Sequence, residues 1–140
     1  MKIDGIMNGI VLDHISAGKA LNIYDALHLG KLDCSVAILT NVKSEKMGRK
    51  DILKIDGNVD IDFKVLGYLD PNITVCIIKD AQIVEKKKLQ LPERIKNVRK
   101  CKNPRCITSV EQDLDNEFYL SNKEERIYRC IYCDTKLENR

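Results

Sequence analysis

Two close pairs of cysteines near the end of the 140-residue chain constrain its fold more than any other feature. Cys101 and Cys106 are separated by four residues, Cys130 and Cys133 by two, and twenty-three residues lie between the pairs. Two tight turns that each offer two thiolates supply the four soft ligands that a tetrahedral Zn²⁺ ion requires. The pattern predicts one structural zinc site per chain, with these four cysteines as ligands, which folds a small C-terminal domain.

The alternative for the four cysteines is a pair of disulfides in a secreted module. The first nine residues lack the basic start and apolar run of a signal peptide, and the longest apolar stretches, such as Val36–Leu39, are too short to span a bilayer. We therefore predict a cytoplasmic protein with no membrane segment. In a reducing compartment Cys34 and Cys76 are expected to be isolated thiols on apolar strands.

The first part of the chain alternates strands and helices. The predicted strands are Lys2–Val11, Cys34–Asn41, Ile52–Ile55, Ile73–Ile78 and Ala81–Lys87. One helix is predicted to begin near its N-cap Ser16, and a second at its N-cap Asp60. This order predicts an α+β fold, a ferredoxin-like (split βαβ) domain with both helices on one face of an antiparallel sheet and one extra strand.

The pattern changes near residue 95, where Leu91–Pro92 interrupts the strand periodicity and Glu93–Arg99 is predicted as a short helical turn. We place the domain boundary here, with residues 1–95 in the first domain and residues 96–140 in the second. The second domain is predicted as a small antiparallel β zinc-binding domain, with strand-like segments at Ile107–Glu111, Glu117–Leu120 and Arg126–Tyr132.

The formal net charge of +3 must be corrected for the metal before it indicates a partner. Residues 1–95 hold 14 basic and 13 acidic side chains, and residues 96–140 hold 10 and 8. A Zn²⁺ ion with four thiolates contributes a net −2, so the second domain falls to about zero and the chain to about +1. A general basic field for polyanions is not supported, and no nucleic-acid partner is predicted.

Asp13 and His14 form the most suggestive polar pair outside the cysteines. Neighbours on an extended chain point in opposite directions, so they orient each other poorly, and a turn with a surface histidine is the preferred interpretation from the residues alone. Lys50, Lys54 and Lys86 are further candidates for anion binding, although most lysines are simply solvated. Lys50 and Lys54 are four apart on an extended segment and can share a face.

Three further segments, together with the cysteine spacing, carry a resemblance to a known family. They are Val11–Ile15 at the end of the first predicted strand, Met47–Asp51 before the third, and Leu91–Ile95 at the domain junction. With the cysteines they stand in the order found in the regulatory chain of aspartate carbamoyltransferase. The resemblance extends over essentially the whole chain.

The resemblance implies a non-catalytic subunit with no catalytic residues of its own. Regulatory chains of this family form homodimers through their N-terminal domains and bind nucleoside triphosphates there, typically CTP as inhibitor and ATP as activator, with UTP as a further candidate. Each zinc domain docks on a catalytic chain, a separate polypeptide that condenses carbamoyl phosphate with aspartate in de novo pyrimidine biosynthesis, and transmits the signal to it.

The resemblance also assigns residues to the nucleotide. Asp13 and His14 would hold the ribose and phosphates, Lys54 and Lys86 would contact the phosphates, and Lys50 would lie close by, whereas Lys87 and Lys88 are predicted to be solvated. The positions that match the base pocket are Asp4, Ile6, Ile78, Ala81 and Ile83. Relatives can carry an aromatic residue in place of Ala81, Asn in place of Cys76, and basic residues in place of Met7 and Asn8. The effector preference and a second nucleotide site therefore stay open.

Two other classes of function compete with this interpretation. A nucleic-acid-binding zinc ribbon is suggested by Ile127–Tyr132, which interleaves aromatic residues with a cation, but the corrected charge opposes it. A small enzyme could use Asp13, His14 and a lysine, because this fold hosts many activities. The sequence, however, shows no nucleophile, no metal with an open position and no glycine-rich phosphate loop.

Overall fold

The computed structural model describes residues 6–57, 59–111 and 113–137. The chain divides into two compact units between Gln90 and Leu91. The predicted boundary near residue 95 falls inside a strand of the second unit, β6 (Arg94–Lys96). Among the described residues no helix is long and apolar enough to cross a membrane.

The first unit is a five-stranded antiparallel sheet with two short helices. Its elements are β1 (Gly9–Ser16), α1 (Ala20–Ala26), a 3-10 turn (Leu29–Lys31), β2 (Ser35–Ser44), β3 (Gly48–Asp56), α2 (Phe63–Leu69), β4 (Thr74–Lys79) and β5 (Gln82–Lys88). The strand order is β2-β3-β1-β4-β5. This is the predicted split βαβ arrangement with an added edge strand, so the predicted fold class is confirmed.

The two faces of this sheet are occupied differently. Ile10, Leu12 and Ile15 of β1 join the main core with Ile23 of α1 and Leu66 of α2, so both helices cover this face. The opposite face, which we call the open face, carries a smaller apolar cluster to which no described helix residue contributes. Its members are Ile6, Val11, Ile52, Cys76 and Ile78, with Val42 packed against them.

Two buried carboxylates organise the ends of the strands. Asp51 accepts hydrogen bonds from the backbone N–H groups of Gly18, Ala20 and Asn41, at 2.9, 3.2 and 2.9 Å. Asp70 accepts one from the N–H of Ser16, at 2.8 Å. A buried carboxylate is tolerated when donors surround it, so these residues fix the start of α1 and the end of β1.

The helix starts differ from the predicted ones. The N-cap of α1 is Lys19, without a side-chain cap, because Asp51 satisfies the first N–H groups in place of the predicted Ser16. The cap of α2 is Asp62 rather than Asp60. Its carboxylate accepts from the N–H groups of Lys64 and Val65, as an N-cap side chain should.

The second unit is a three-stranded antiparallel sheet with one turn of helix. Its elements are β6, α3 (Ile107–Val110), β7 (Glu117–Asn122) and β8 (Ile127–Cys130), in the strand order β6-β7-β8. Its strands and its C-terminal segment carry four large buried residues, which are Ile95, Phe118, Tyr128 and Leu137. A small antiparallel sheet was predicted, and it is confirmed.

Two local predictions in the second unit are wrong. Residues 94–96 form a strand and not a helical turn, because β6 pairs with Glu117–Tyr119 of β7. Ile107–Val110 is helical and not extended. The N–H of Ser109 donates to the carbonyl of Cys106 at 2.9 Å, and the Ser109 hydroxyl donates to the carbonyl of Asn103 at 2.7 Å. These bonds close a turn that the apolar alternation did not reveal.

Gly67 allows α2 to approach the end of the first unit, and this contact yields a prediction. A Cβ at Gly67 would lie 2.2 Å from the carbonyl oxygen of Gln90, which is backbone and cannot swing away. We expect Gly67→Ala to lower the free energy of unfolding by about 1–3 kcal/mol, the usual cost of overpacking, as measured by urea denaturation.

Gly30→Ala is the matched control for this substitution. A Cβ at Gly30 would meet the hydroxyl of Tyr24 at 2.9 Å, the far end of a side chain that can move. It should cost much less than Gly67→Ala. Equal midpoints for the two variants would contradict the assigned packing.

Candidate metal centre and effector site

The four clustered cysteines meet in space, as the spacing predicted. Their Sγ atoms all lie within 4.8 Å of one another. Cys101 and Cys133 are 3.6 Å apart and Cys106 and Cys130 are 3.7 Å apart. Sulfur atoms at tetrahedral corners about 2.3 Å from one metal are about 3.8 Å from each other. The residues present therefore fit a four-thiolate metal ion.

Two tight turns position the four ligands. In the first, the N–H of Cys106 donates to the carbonyl of Asn103 at 3.0 Å. In the second, which follows β8, the N–H of Asp134 donates to the carbonyl of Cys130 at 2.9 Å, and the N–H of Cys130 donates to the carbonyl of Thr135 at 3.0 Å. Cys106 and Cys130 are buried, whereas Cys101 and Cys133 are half-buried.

The thiols of the cluster differ in acidity. Burial and the hydrogen bond with Cys133 raise the pKa of Cys101 to about 12, against the opposing N–H of Asn103. Burial alone would raise the pKa of Cys133, but hydrogen bonds with the side chain and backbone of Thr135 outweigh it and lower that pKa to about 6. Four thiolates cannot form together without a cation, so metal binding must displace protons from this cluster.

The second group of predicted residues lies on the open face of the first unit. One row across the sheet pairs Lys54 of β3 with Val11 of β1, Val11 with Cys76 of β4, and Cys76 with Lys86 of β5. Residues opposite each other in antiparallel strands project to the same side. Lys54 and Lys86 therefore share the face that carries the cluster of Val11 and Cys76.

The next row holds the polar pair. Asp13 of β1 is opposite Thr74 of β4, and its carboxylate lies 2.9 Å from the Nζ of Lys50. The backbone N–H of His14 donates to the same carboxylate at 2.7 Å. His14 Nδ1 lies 3.0 Å from the Thr74 hydroxyl, so the other ring nitrogen is the one available to a ligand.

His14 owes its position to a bulge in β1. The pairing of β1 with β3 shifts register between Leu12 and Ile15, and His14 has a φ of 57°. An extra residue of this kind leaves the ladder and changes the direction of its side chain. The extended geometry that argued against cooperation between Asp13 and His14 is therefore interrupted where these residues lie.

The charge of Asp13 is stabilised by its partners. Burial alone would raise the pKa of Asp13, but the hydrogen bond from Lys50 and that from the His14 N–H outweigh it. The pKa of this carboxyl is therefore below its ordinary value of 3.8. At neutral pH Asp13 is an acceptor and Lys50 is a cation fixed beside it.

The apolar members of the predicted pocket lie on or beside the same face. Ile6 and Ile78 are buried in the cluster of the open face, and Ile83 is paired with Ile78 and 41% exposed. Ala81 lies in the turn between β4 and β5, where its N–H donates to the carbonyl of Met7 at 2.9 Å. Asp4 lies outside the described residues.

Lys88, which was predicted to be solvated, is exposed and lies on this face as well. It is opposite Thr74, which puts it in the row of Asp13 and on the same side of the sheet as Lys86. Lys87 projects to the helix-covered face, with its Nζ 5.0 Å from the centroid of the Phe63 ring. The alternation of Lys86, Lys87 and Lys88 along one strand was the available signal, but the face of each became known only with the strand pairing.

Comparisons with known proteins identify both units. Residues 1–90 match the family model described as aspartate carbamoyltransferase regulatory chain, allosteric domain, and residues 93–140 match the one described as aspartate carbamoyltransferase regulatory chain, metal binding domain. Proteins named aspartate carbamoyltransferase regulatory chain are similar over nearly their whole length. The one from Clostridium botulinum (strain Hall) is 52% identical over 134 residues, which are 96% of this chain and 92% of that protein.

Two further relatives with the same name agree. The protein from Clostridium tetani is 49% identical over 135 residues, which are 96% of this chain and 94% of that protein. The protein from Bifidobacterium longum is 40% identical over 134 residues, which are 96% of each chain.

The Asp13–Lys50 pair yields a pH prediction. Asp13→Asn should lower the free energy of unfolding by about 1 kcal/mol at pH 7, since it removes a half-buried ion pair. Because the pKa of Asp13 is lowered on folding, its contribution is complete above about pH 4 and is lost as the pH falls through the folded pKa. Urea denaturation at a series of pH values measures this.

The control for this series is Asp25→Asn, at an exposed carboxyl on α1. It should leave the free energy of unfolding nearly unchanged at every pH. A difference between wild type and Asp13→Asn that is as large at pH 3 as at pH 7 would exclude the ion pair as its source.

Proposed function

Because this chain belongs to the aspartate carbamoyltransferase regulatory chain family, we propose that it is the cytoplasmic, allosteric subunit of that complex and binds nucleoside triphosphates on the open face of its first unit. The family is named for a regulatory and not a catalytic chain. The observation that carries the nucleotide proposal is the pair of lysines, Lys54 and Lys86, on one sheet face beside the Asp13–Lys50 pair.

The phosphates would lie near the lysines. A nucleoside triphosphate carries about four negative charges at neutral pH and needs several cations near it. Lys50, Lys54 and Lys86 supply them, and Lys88 extends the same face. The free ring nitrogen of His14 can donate to a phosphate oxygen, because Nδ1 is held by Thr74.

The ribose and base would lie against the remaining groups. The carboxylate of Asp13 can accept a hydrogen bond from a ribose hydroxyl. Ile6, Ile78 and Ile83 offer an apolar surface for the flat faces of the base. Asp4 and Ala81 complete the proposed pocket, in which CTP acts as inhibitor and ATP as activator and to which UTP is a further candidate. Cys76 lies between Val11 and Lys86 on this face.

Zinc is the metal that we propose for the cysteine cluster. Four thiolates are soft ligands that suit Zn²⁺, whose d¹⁰ shell accepts a tetrahedron without preference for another geometry. A shell closed by Cys101, Cys106, Cys130 and Cys133 leaves no position for a reacting water. The ion would therefore stabilise the second unit and take no part in a reaction.

The second unit also offers a surface to a partner. Ile107 and Val110 of α3 are 49% and 69% exposed, and Ile131 and Tyr132 between two cysteine ligands are 36% and 48% exposed. Apolar residues that project from ligand-bearing turns are positioned by the metal and suit a protein interface. We assign this surface to the catalytic chain, to which the effector signal would pass.

A homodimer through the first unit is part of the same proposal. β2 is an edge strand of ten residues and pairs on one side with β3. Among the ten residues of β2 only Lys43 is charged, and Leu39 is 40% exposed. A long edge strand with few charges can extend its sheet by pairing with a second copy.

The nucleotide site predicts different effects for neighbouring lysines. Lys86→Ala should weaken binding of CTP and ATP about tenfold, which is about 1.4 kcal/mol, since it removes a cation from the open face. Lys87→Ala should change either affinity less than twofold, because Lys87 lies over Phe63 on the other face. Isothermal titration calorimetry at one fixed salt concentration measures both. Equal losses would refute the assigned face.

The proposed metal site predicts that the second unit loses its fold and its complex with the catalytic chain together. A thiol reagent together with a chelator should remove one Zn²⁺ per chain, abolish amide-exchange protection in β6, β7 and β8, and release the catalytic chain, because the ion holds both turns of the second unit. Nucleotide binding by the first unit should be intact once the thiols have been regenerated without metal, and added Zn²⁺ should then restore the complex. A complex that persists after metal loss would disprove the structural role.

A further inference from the structure

Two threonine hydroxyls contact the sulfur atoms of the cysteine cluster. Thr108 Oγ1 lies 3.1 Å from Cys106 Sγ, and Thr135 Oγ1 lies 3.1 Å from Cys133 Sγ. Each threonine follows its cysteine by two residues, one in each ligand-bearing turn. With the thiol protonated, Cys133 Sγ donates to Thr135 Oγ1, and in the other pair either atom can be the donor. The metal-bound form of a cysteine has no proton, so in that form each sulfur can only accept and the threonine hydroxyl donates.

The cluster needs such donors. Four thiolates around a divalent ion leave a net charge of −2, and Cys106 and Thr108 are both buried, at 2% and 9% exposed. A buried charge is costly unless hydrogen bonds compensate it. Backbone N–H groups already donate to the sulfurs of Cys101, Cys130 and Cys133. The Thr108 hydroxyl supplies a donor to Cys106, and the Thr135 hydroxyl adds a second donor to Cys133, so each of the four sulfurs has a donor.

We propose that Thr108 and Thr135 are positioning residues of the metal centre, whose hydroxyl donors hold the thiolates of Cys106 and Cys133 in the ligand geometry and slow loss of the ion. The inference rests on the proposed four-thiolate metal site and extends it to residues that do not touch the metal. Groups that hydrogen-bond to metal ligands typically contribute about tenfold to a hundredfold in metal affinity.

Ser109 provides a matched control in the same helical turn. Its hydroxyl donates to the backbone carbonyl of Asn103 at 2.7 Å, and the residue is exposed. Ser109→Ala therefore removes a hydroxyl from α3 without removing a donor to sulfur. Thr108→Val and Thr135→Val keep the side-chain shape and remove the donor, whereas Thr108→Ser and Thr135→Ser keep the donor.

The experiment loads the full chain and its variants with Co²⁺ in place of Zn²⁺. Donation to a thiolate lowers the energy of its lone pairs, so loss of a donor should shift the sulfur-to-cobalt charge-transfer band to longer wavelength. We expect this shift in each valine variant, an additive shift in the double variant, and the wild-type band in both serine variants and in Ser109→Ala. The band reports on the ion pocket itself, so a change of stability alone does not move it.

Competition with a chelator gives the second readout. Each valine variant should bind Zn²⁺ about tenfold more weakly than wild type, and each serine variant should recover the affinity. Valine variants with the wild-type band and wild-type affinity would overturn the role of the hydroxyls. So would a shift in Ser109→Ala as large as in Thr108→Val. A wild-type chain that takes up neither metal would instead overturn the metal site itself, and this inference with it.

Discussion

The central strand β1 is the constraint on which the first unit depends, because it is hydrogen-bonded to β3 on one side and to β4 on the other. Its residues alternate between the helix-covered core, which receives Ile10 and Leu12, and the open face, which receives Val11 and Asp13. Continued alternation would send Ile15 to the open face. The bulge at His14 returns Ile15 to the core and leaves a histidine beside Thr74. One irregularity thus completes both the core and the polar site.

The sequence predicted what depends on periodicity and spacing. Strand and helix order, the helix-covered sheet and the meeting of four cysteines follow from patterns that are local or that a metal imposes. Contacts between segments that are distant in the sequence could not be predicted from these patterns. Asp51 accepts from the N–H groups of Asn41, of Gly18 before α1 and of Ala20, the first residue of α1, and it therefore takes the role predicted for Ser16. The position of Lys88 beside Lys86 on the open face is set by the register of β4 with β5. The residue choices on the open face came from family resemblance and not from pattern.

The two proposed ligands would act on the chain in different ways. An effector can change catalysis in an assembled complex only through a difference in its affinity for two states of that complex, so its influence is graded by concentration and by nucleotide identity. The metal is linked to folding, because its four thiolates form a closed shell only when both turns of the second unit are in place. Zinc would therefore permit assembly, and nucleotides would adjust the activity of what is assembled.

The distribution of charge favours the proposed nucleotide over a nucleic acid, although the chain has a net charge of +3. Four thiolates that hold a divalent ion cancel the excess of positive charge in the second unit. In the first unit the balance is nearly even, yet Lys54 and Lys86 are placed on one face by strand pairing, beside Lys50, which the half-buried carboxylate of Asp13 already orients. A triphosphate needs only a few cations close together, whereas a polyanion needs a continuous basic surface. Local placement of a few cations, and not their number, determines which anion this fold can bind.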